Sequence, residues 1–291
     1  MKGSKLILAT DLSENAGPAA RWAEQFGQRM GLDVVVVHVL DITLRSWQGA
    51  YDVLEDNKLR DKALARLADW YEKHTGVAPA EVVLEVGSPL HRLSEVCKSQ
   101  GAAMLVLSMS GKGAWNKFVF GSTALKLVHS PPCPVVIVHP EHSQVEASPA
   151  LVVGTDFSKT SDPALSLAGA VARKLGGRID IVHANVLPSS TLIFDTELPE
   201  ELQHTAVVDW AEASMERFVQ DHVEDLSGLA FDCHVITDYP VHGLLEFVEQ
   251  NGIDMLFLGH YGKDAGTMSR LSSVMIKTVQ QMRSTVVIVP E

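Results

Sequence analysis

The sequence predicts an α/β protein with two tandem doubly wound domains, each a five-stranded parallel sheet flanked by helices. Two observations carry this prediction. One ordered set of sequence elements occurs twice along the 291 residues. Within each copy, short apolar runs alternate with longer segments of helical periodicity, the pattern typical of βαβ units.

The repeat is visible by direct comparison of the two halves. "LILATDLSENAGPAARWA" at 6–23 recurs as "LVVGTDFSKTSDPALSLA" at 151–168. The segment 88–111 likewise matches 239–262, and "CPVVIVHP" near 133 is answered by "STVVIVPE" at the end of the chain. The interpretation is two copies of one domain, at 1–141 and 149–291, joined by a polar linker at 142–148.

The elements of the first copy follow from their apolar patterns. Near-continuous β-branched runs, typical of strands buried on both faces, predict strands at 5–10, 33–39, 81–86, 103–108 and 134–139. Helical periodicity predicts helices at 18–30, about 50–74, 89–100 and 121–129. Pro18 and Pro163 suit the first turn of equivalent helices.

Composition excludes several classes of function. The net charge of −12 and the absence of a run of Lys and Arg argue against a nucleic-acid partner. The three cysteines are far apart, which predicts no disulfide framework and a reducing compartment. No apolar run approaches the length of a membrane span, so the predicted location is cytoplasmic.

Polar residues follow the first two strands of each copy. Asp11 and Asp156 come directly after strand 1, and His38 and His183 lie at the end of strand 2. In an open parallel sheet these positions meet at the carboxyl edge, where ligands bind. The two aspartates could bind a ligand or organise their own loop. For the two histidines a hydrogen-bonded core role is favoured over a catalytic one.

The loop after strand 4 has the ingredients of an anion site. Gly111 and Gly113 permit a close approach to the backbone, and Gly121-Ser122 opens a helix with free N–H groups and a positive dipole end. The pattern is neither a Walker A loop nor the dinucleotide fingerprint. A simple strand-to-helix connection is the alternative.

The chain resembles the universal stress proteins in their tandem form, over essentially its whole length. The nucleotide-binding members carry Gly-x2-Gly-x9-Gly-Ser/Thr after strand 4, and an Asp after strand 1. The first half reads Ser108-x2-Gly111-x9-Gly121-Ser122. The second half reads Gly259-x2-Gly262-x9-Ser272-Ser273. Each half therefore lacks one glycine, at a different place.

The resemblance implies a Rossmann-like fold of the adenine-nucleotide α-hydrolase type and ATP, with Mg²⁺, as the ligand. The aspartates would meet the adenine and the loops would hold the phosphates. The residues implicated are Asp11, Gly111, Gly113, Gly121, Ser122, Asp156, Gly259, Gly262, Ser272 and Ser273. The first half keeps the second and third loop glycines, which favours it slightly as the binding half.

Two other functions stay open at this point. The chain could be a stress scaffold with degenerate sites that acts through protein contacts, or a slow ATPase. No catalytic residue is predicted, and no metal site, because no CxxC or HExxH spacing occurs. By resemblance, 134–139 is expected to pair with 285–289 as an intramolecular pseudo-dimer; further homodimerisation stays open.

Overall fold

The computed structural model describes residues 4–41, 57–109, 120–186, 200–260 and 270–291. The chain divides into two compact units. Unit 1 comprises Met1–Glu146 together with Arg283–Pro290, and unit 2 comprises Ala147–Met282 together with Glu291.

Unit 1 alternates strands and helices as the sequence predicts. Its elements are β1 (Lys5–Ala9), a short 3-10 turn (Glu14–Ala16), α1 (Gly17–Met30), β2 (Asp33–Leu40), α2 (Asn57–Thr75), β3 (Glu81–Val86), α3 (Pro89–Ser99), β4 (Ala102–Ser108), α4 (Ser122–His129), β5 (Val135–Val138) and the last strand of the chain, β10 (Thr285–Val289). The predicted helix at about 50–74 is described from residue 57 onward.

The strands of unit 1 lie in the order β3-β2-β1-β4-β5-β10. β1 pairs in parallel with β2 and with β4, so that Ile7 lies opposite both Val35 and Leu105. β10 pairs antiparallel with β5, with Val287 opposite Val136. The predicted pairing of 134–139 with 285–289 is therefore confirmed.

Unit 2 repeats the alternation. Its elements are β6 (Ala150–Gly154), α5 (Asp162–Leu175), β7 (Arg178–Asn185), α6 (Glu200–Asp221), α7 (Val223–Leu226), β8 (Phe231–Thr237), α8 (Pro240–Gln250), β9 (Met255–Gly259) and α9 (Arg270–Gln281). These strands run parallel in the order β9-β6-β7-β8.

Local chemistry explains the element boundaries. α1 and α5 carry a proline in the first turn and end at glycines in the left-handed conformation, Gly31 at φ 72° and Gly176 at φ 71°. The central strands are apolar throughout because both faces are covered: Leu6, Ile7 and Leu8 are fully buried. The fold class predicted from the sequence is confirmed. Within the described residues, no helix is long and apolar enough to cross a membrane.

Candidate functional site

The candidate site lies at the carboxyl edge of each parallel sheet. In unit 1, β2 and β4 flank β1, and in unit 2, β7 and β9 flank β6. The chain leaves β1 and β6 toward one side and returns on the other, so strand order reverses beside these strands. The crevice at such a reversal is where open α/β sheets bind ligands.

The loops after β1 and β6 share one unusual backbone conformation. Leu12 has φ 64° and Phe157 has φ 61°, the left-handed region that residues other than glycine rarely occupy. In both loops a threonine hydroxyl accepts the N–H of this residue: Thr10 Oγ1 at 3.0 Å from Leu12 N, and Thr155 Oγ1 at 2.9 Å from Phe157 N. The two repeats thus hold the same strained turn, fixed by the same threonine hydroxyl contact.

Each aspartate organises its loop through one carboxylate oxygen. Asp11 Oδ1 accepts the N–H of Ser13 at 3.0 Å and its hydroxyl at 2.6 Å. Asp156 Oδ1 accepts the N–H of Ser158 at 3.0 Å and its hydroxyl at 2.5 Å. Within the described residues, Asp156 Oδ2 makes no hydrogen bond. The loop-organising interpretation is therefore confirmed, and in Asp156 it leaves the second oxygen available to a ligand.

Each strand-end histidine is held by the equivalent backbone carbonyl of its own repeat. His38 Nδ1 lies 2.7 Å from Thr10 O, and His183 Nδ1 lies 2.8 Å from Thr155 O. A carbonyl only accepts hydrogen bonds, so Nδ1 carries the proton in both rings. Burial lowers the pKa of His183, which keeps its imidazole neutral. This agrees with the core role expected from the sequence.

Unit 2 has a cavity of about 100 Å³ at this edge. The carboxyl ends of β6, β7 and β9 form its floor, and α8 and α9 form its sides. Its apolar walls are Val182, Ala184, Pro240, Leu244, Leu258, Val274 and Met275. Its polar rim is Thr155, Asp156, Thr160, Ser161 and His183. The cavity therefore combines a mostly apolar slot with one carboxylate that has a free acceptor.

The first glycine of the loop motif is Gly259 in the second half but Ser108 in the first half. This difference has a steric explanation. A Cβ atom on Gly259 would overlap the carbonyl oxygen of Thr160 and lie 3.0 Å from the Cα of Ser161. In unit 1 the matching residue is Ser108, whose hydroxyl donates to Asn15 O at 2.9 Å. Gly259 is thus required by the close approach of the 160–161 backbone, whereas unit 1 leaves room for a side chain.

The positions of the remaining predicted residues say little about ligand binding. Gly121 precedes α4 with φ −68°, and its N–H already donates to Met109 O at 2.9 Å. Ser122 begins α4 and is exposed, while Ser272 and Ser273 lie in the first turn of α9. Gly111, Gly113 and Gly262 lie outside the described residues.

The residues of α8 and α9 that line the cavity were not predicted from the sequence. Pro240 and Leu244 lie on the first turns of α8, and Met275 lies on α9. The repeated pair "SPLHRL" and "YPVHGL" at 88–93 and 239–244 marks the start of this helix in both halves. That repetition was the available signal, but apolar residues on a helix do not by themselves show which cavity they line.

Comparison with known proteins gives one consistent family. The family described as "Universal stress protein family" matches residues 4–139 and 149–290. The universal stress protein Rv2005c of Mycobacterium tuberculosis is 25% identical over 296 residues, spanning 97% of this chain and 96% of that protein. A second protein of that organism, universal stress protein Rv2623, is 24% identical over 304 residues, spanning 98% and 95%.

A solved structure supports the same fold. The crystal structure of a universal stress protein from Archaeoglobus fulgidus superposes with a TM-score of 0.68. It covers 99% of this chain and 97% of that one at 19% sequence identity. At this identity the likeness concerns the fold alone.

Proposed function

Because this chain belongs to the universal stress protein family, we propose that it is a stress-response protein that binds an adenine nucleotide in its second repeat. The cavity of unit 2 is the observation that carries the proposal. It lies at the strand-order reversal of the sheet, where nucleotides bind in doubly wound folds. A cytoplasmic location, expected from the sequence, is part of the same proposal.

The chemistry of the cavity suits a purine base. Adenine is flat and apolar on its faces, and its amino group needs a hydrogen-bond acceptor. The apolar walls, among them Val182, Leu244 and Leu258, would enclose the faces of the base. Asp156 Oδ2 makes no hydrogen bond within the described residues, so it can accept one from the amino group.

The phosphates would extend toward α9. The motif Gly259-x2-Gly262-x9-Ser272-Ser273 leads from the end of β9 into the first turn of that helix. The backbone N–H groups in the first turn of a helix and the positive end of its dipole favour an anion at such a position. Mg²⁺ would accompany the phosphates of ATP as part of the ligand.

The choice of the second repeat reverses the slight preference drawn from the glycines. In unit 1, Ser108 occupies the position of Gly259, and its hydroxyl is bonded to the loop after β1. In unit 2 the corresponding backbone segments approach each other directly, and the cavity lies beside them. We therefore base the choice of repeat on the shape at the strand ends and not on the number of retained glycines.

Isothermal titration of the full chain with Mg-ATP tests the proposal. Ala184→Leu would fill the cavity, and the matched control is Val39→Leu at the equivalent position of unit 1. We expect Ala184→Leu to weaken ATP binding at least tenfold, and Val39→Leu to leave it unchanged.

A second pair of variants tests the polar contact. Asp156→Asn keeps an oxygen that can accept the bonds from Ser158 but removes the charge, and Asp11→Asn is its counterpart in unit 1. Of these two variants, only Asp156→Asn should weaken ATP binding. If no heat is measured at millimolar ATP, the chain is a scaffold; if only the unit 1 variants reduce binding, the first repeat is the binding half.

A further inference from the structure

Away from the proposed nucleotide cavity, three potential metal ligands converge on the surface of unit 2. Asp238 lies just before α8, and His242 and Glu246 follow at intervals of four residues, on one face of the helix. One ligand atom from each residue can be chosen so that all three lie within 4.8 Å of one another. Within the described residues, no other group of three such side chains converges in this way.

The side chains are already directed toward one point. His242 Nδ1 is hydrogen-bonded to Asp238 Oδ2 and lies 3.9 Å from Glu246 Oε2. The other oxygen of Asp238 accepts the N–H of Tyr239 at 2.6 Å, which fixes the orientation of the carboxylate. An imidazole nitrogen and two carboxylate oxygens therefore surround one small volume that is open to solvent.

The first repeat provides an internal comparison. His91 and Glu95 reproduce the histidine and the glutamate, with Nε2 and Oε1 3.2 Å apart. There, however, Gly87 stands in place of Asp238. Arg92 stands in place of Gly243, and its Nη1 lies 2.8 Å from Glu95 Oε2. Unit 1 thus has no carboxylate equivalent to that of Asp238, and Arg92 neutralises Glu95, its counterpart of Glu246.

Unit 2 differs from unit 1 in both respects that matter to a cation. It adds a carboxylate at 238 and removes the arginine that would compete for the glutamate. Within the described residues, no Lys or Arg pairs with Asp238 or Glu246. The two negative charges of the cluster are balanced by His242 alone, when that ring is protonated.

We propose that Asp238, His242 and Glu246 form a binding site for a divalent first-row transition-metal ion such as Zn²⁺. Imidazole and carboxylate are ligands that Zn²⁺ accepts, and three protein ligands would leave a coordination position for water. Side-chain rotations would bring the ligand atoms to the roughly 2.0–2.2 Å that zinc requires. These rotations are available because His242 is 71% exposed and the other two side chains also reach solvent.

Occupancy of this site would have a structural consequence at the cavity. The ion would tie the residue before α8 to the first and second turns of that helix. Pro240 and Leu244, on the same two turns, line the cavity of unit 2. The metal site itself does not depend on nucleotide binding, and it is tested without nucleotide.

The test is isothermal titration of the chelator-treated, full-length protein with ZnCl₂ under reducing conditions. We expect one saturable site in the wild type. His242→Ala and Asp238→Asn should each weaken it about tenfold or more, because even the loss of an outer-shell partner of a metal ligand costs roughly 10–100-fold in affinity. Asn retains an acceptor for the Tyr239 N–H, so the second variant removes mainly charge. Cobalt(II) should give a visible absorption band that disappears in the same variants.

His91→Ala is the matched control, because it removes the equivalent exposed histidine of unit 1. It should leave the zinc isotherm unchanged. The chain has twelve histidines in all, so weak uptake by several of them is the competing explanation. An isotherm that is the same in His242→Ala as in the wild type, or no uptake at millimolar zinc, would overturn the proposal.

Discussion

Gly259 and Thr160 approach so closely that a Cβ atom at position 259 would overlap the Thr160 carbonyl oxygen. The contact joins the end of β9 to the loop after β6, the two segments on either side of the cavity. Because the obstructing atom belongs to the backbone, a side-chain rotation cannot relieve the overlap. This contact gives Gly259 a structural role that is separate from any contact with phosphate.

Gly259→Ala is therefore expected to destabilise the protein by about 1–3 kcal/mol, the usual cost of overpacking. Gly121→Ala is the control. A Cβ there would lie 3.7 Å from Met109 O, an ordinary contact, and φ is negative. That change should be neutral or slightly stabilising, because alanine restricts the unfolded chain. Urea unfolding of both variants measures the difference, and equal free energies of unfolding would contradict it.

The left-handed turn at Leu12 makes a second prediction. A β-branched residue tolerates φ 64° worse than an unbranched one. Leu12→Val should destabilise the protein by about 1 kcal/mol or more. Leu12→Met keeps the volume without branching and should change stability by less than about 0.5 kcal/mol. Comparing the urea midpoints of the two variants isolates the cost of holding a β-branched residue in the left-handed conformation. Equal midpoints would show that the turn changes conformation to avoid this cost.

Stability should fall on acidification because buried histidines favour the neutral form. Burial is the main cause that lowers the pKa values of His74, His139 and His183. The unfolded chain then binds these protons more readily, at about pH 6.5. The free energy of unfolding keeps its full value above that pH and decreases as the pH falls below it. Urea midpoints measured between pH 7.5 and 5.5 should show the decrease.

His183→Gln should flatten this pH dependence, since it removes one of the buried titrating rings. His91→Gln, on the exposed surface of α3, is the control and should preserve the wild-type slope. An unchanged slope in His183→Gln would mean that the ring is protonated without cost in the folded state.

Asp180 provides a prediction that compares the repeats. It is buried on β7, where its carboxylate pairs with Arg178 and lies 2.8 Å from His234 Nε2. The equivalent residue of unit 1 is Val35. Arg178→Ala would leave the buried carboxylate with one partner, at a cost of about 1–3 kcal/mol.

Asp180→Val should cost less than Arg178→Ala, because it removes the buried charge and lets both partners reach solvent. Thermal or urea unfolding of the two variants ranks them. A larger loss of stability in Asp180→Val would show that the network itself stabilises unit 2.

Much of the fold could be predicted from the sequence because its signals are local or repeated. The strand predicted at 81–86 is observed at Glu81–Val86, and the helix predicted at 89–100 is observed at Pro89–Ser99. Apolar periodicity depends only on neighbouring residues. The repetition of Thr10-Asp11 as Thr155-Asp156 likewise identified both loops without any knowledge of the third dimension.

The candidate site was only partly predictable. Asp156 was identified from its place after a strand and Gly259 from the family motif, but the contact between Gly259 and Thr160 joins segments about a hundred positions apart in the sequence. No local pattern reports such a distance. The convergence of Asp238, His242 and Glu246 was missed for a related reason, since it depends on side-chain directions and follows no metal-binding motif.

The sequence by itself determined the tandem α/β architecture, the order of its elements and the edge of the sheet where a ligand would bind. These features follow from the periodicity of burial and from the repeat, which are properties of the linear chain. Only the tertiary structure decided the shape of the cavity beside Asp156, which aspartate oxygen is left unbonded and which glycine is sterically required. Those features depend on distances between separate loops, and long-range packing sets those distances.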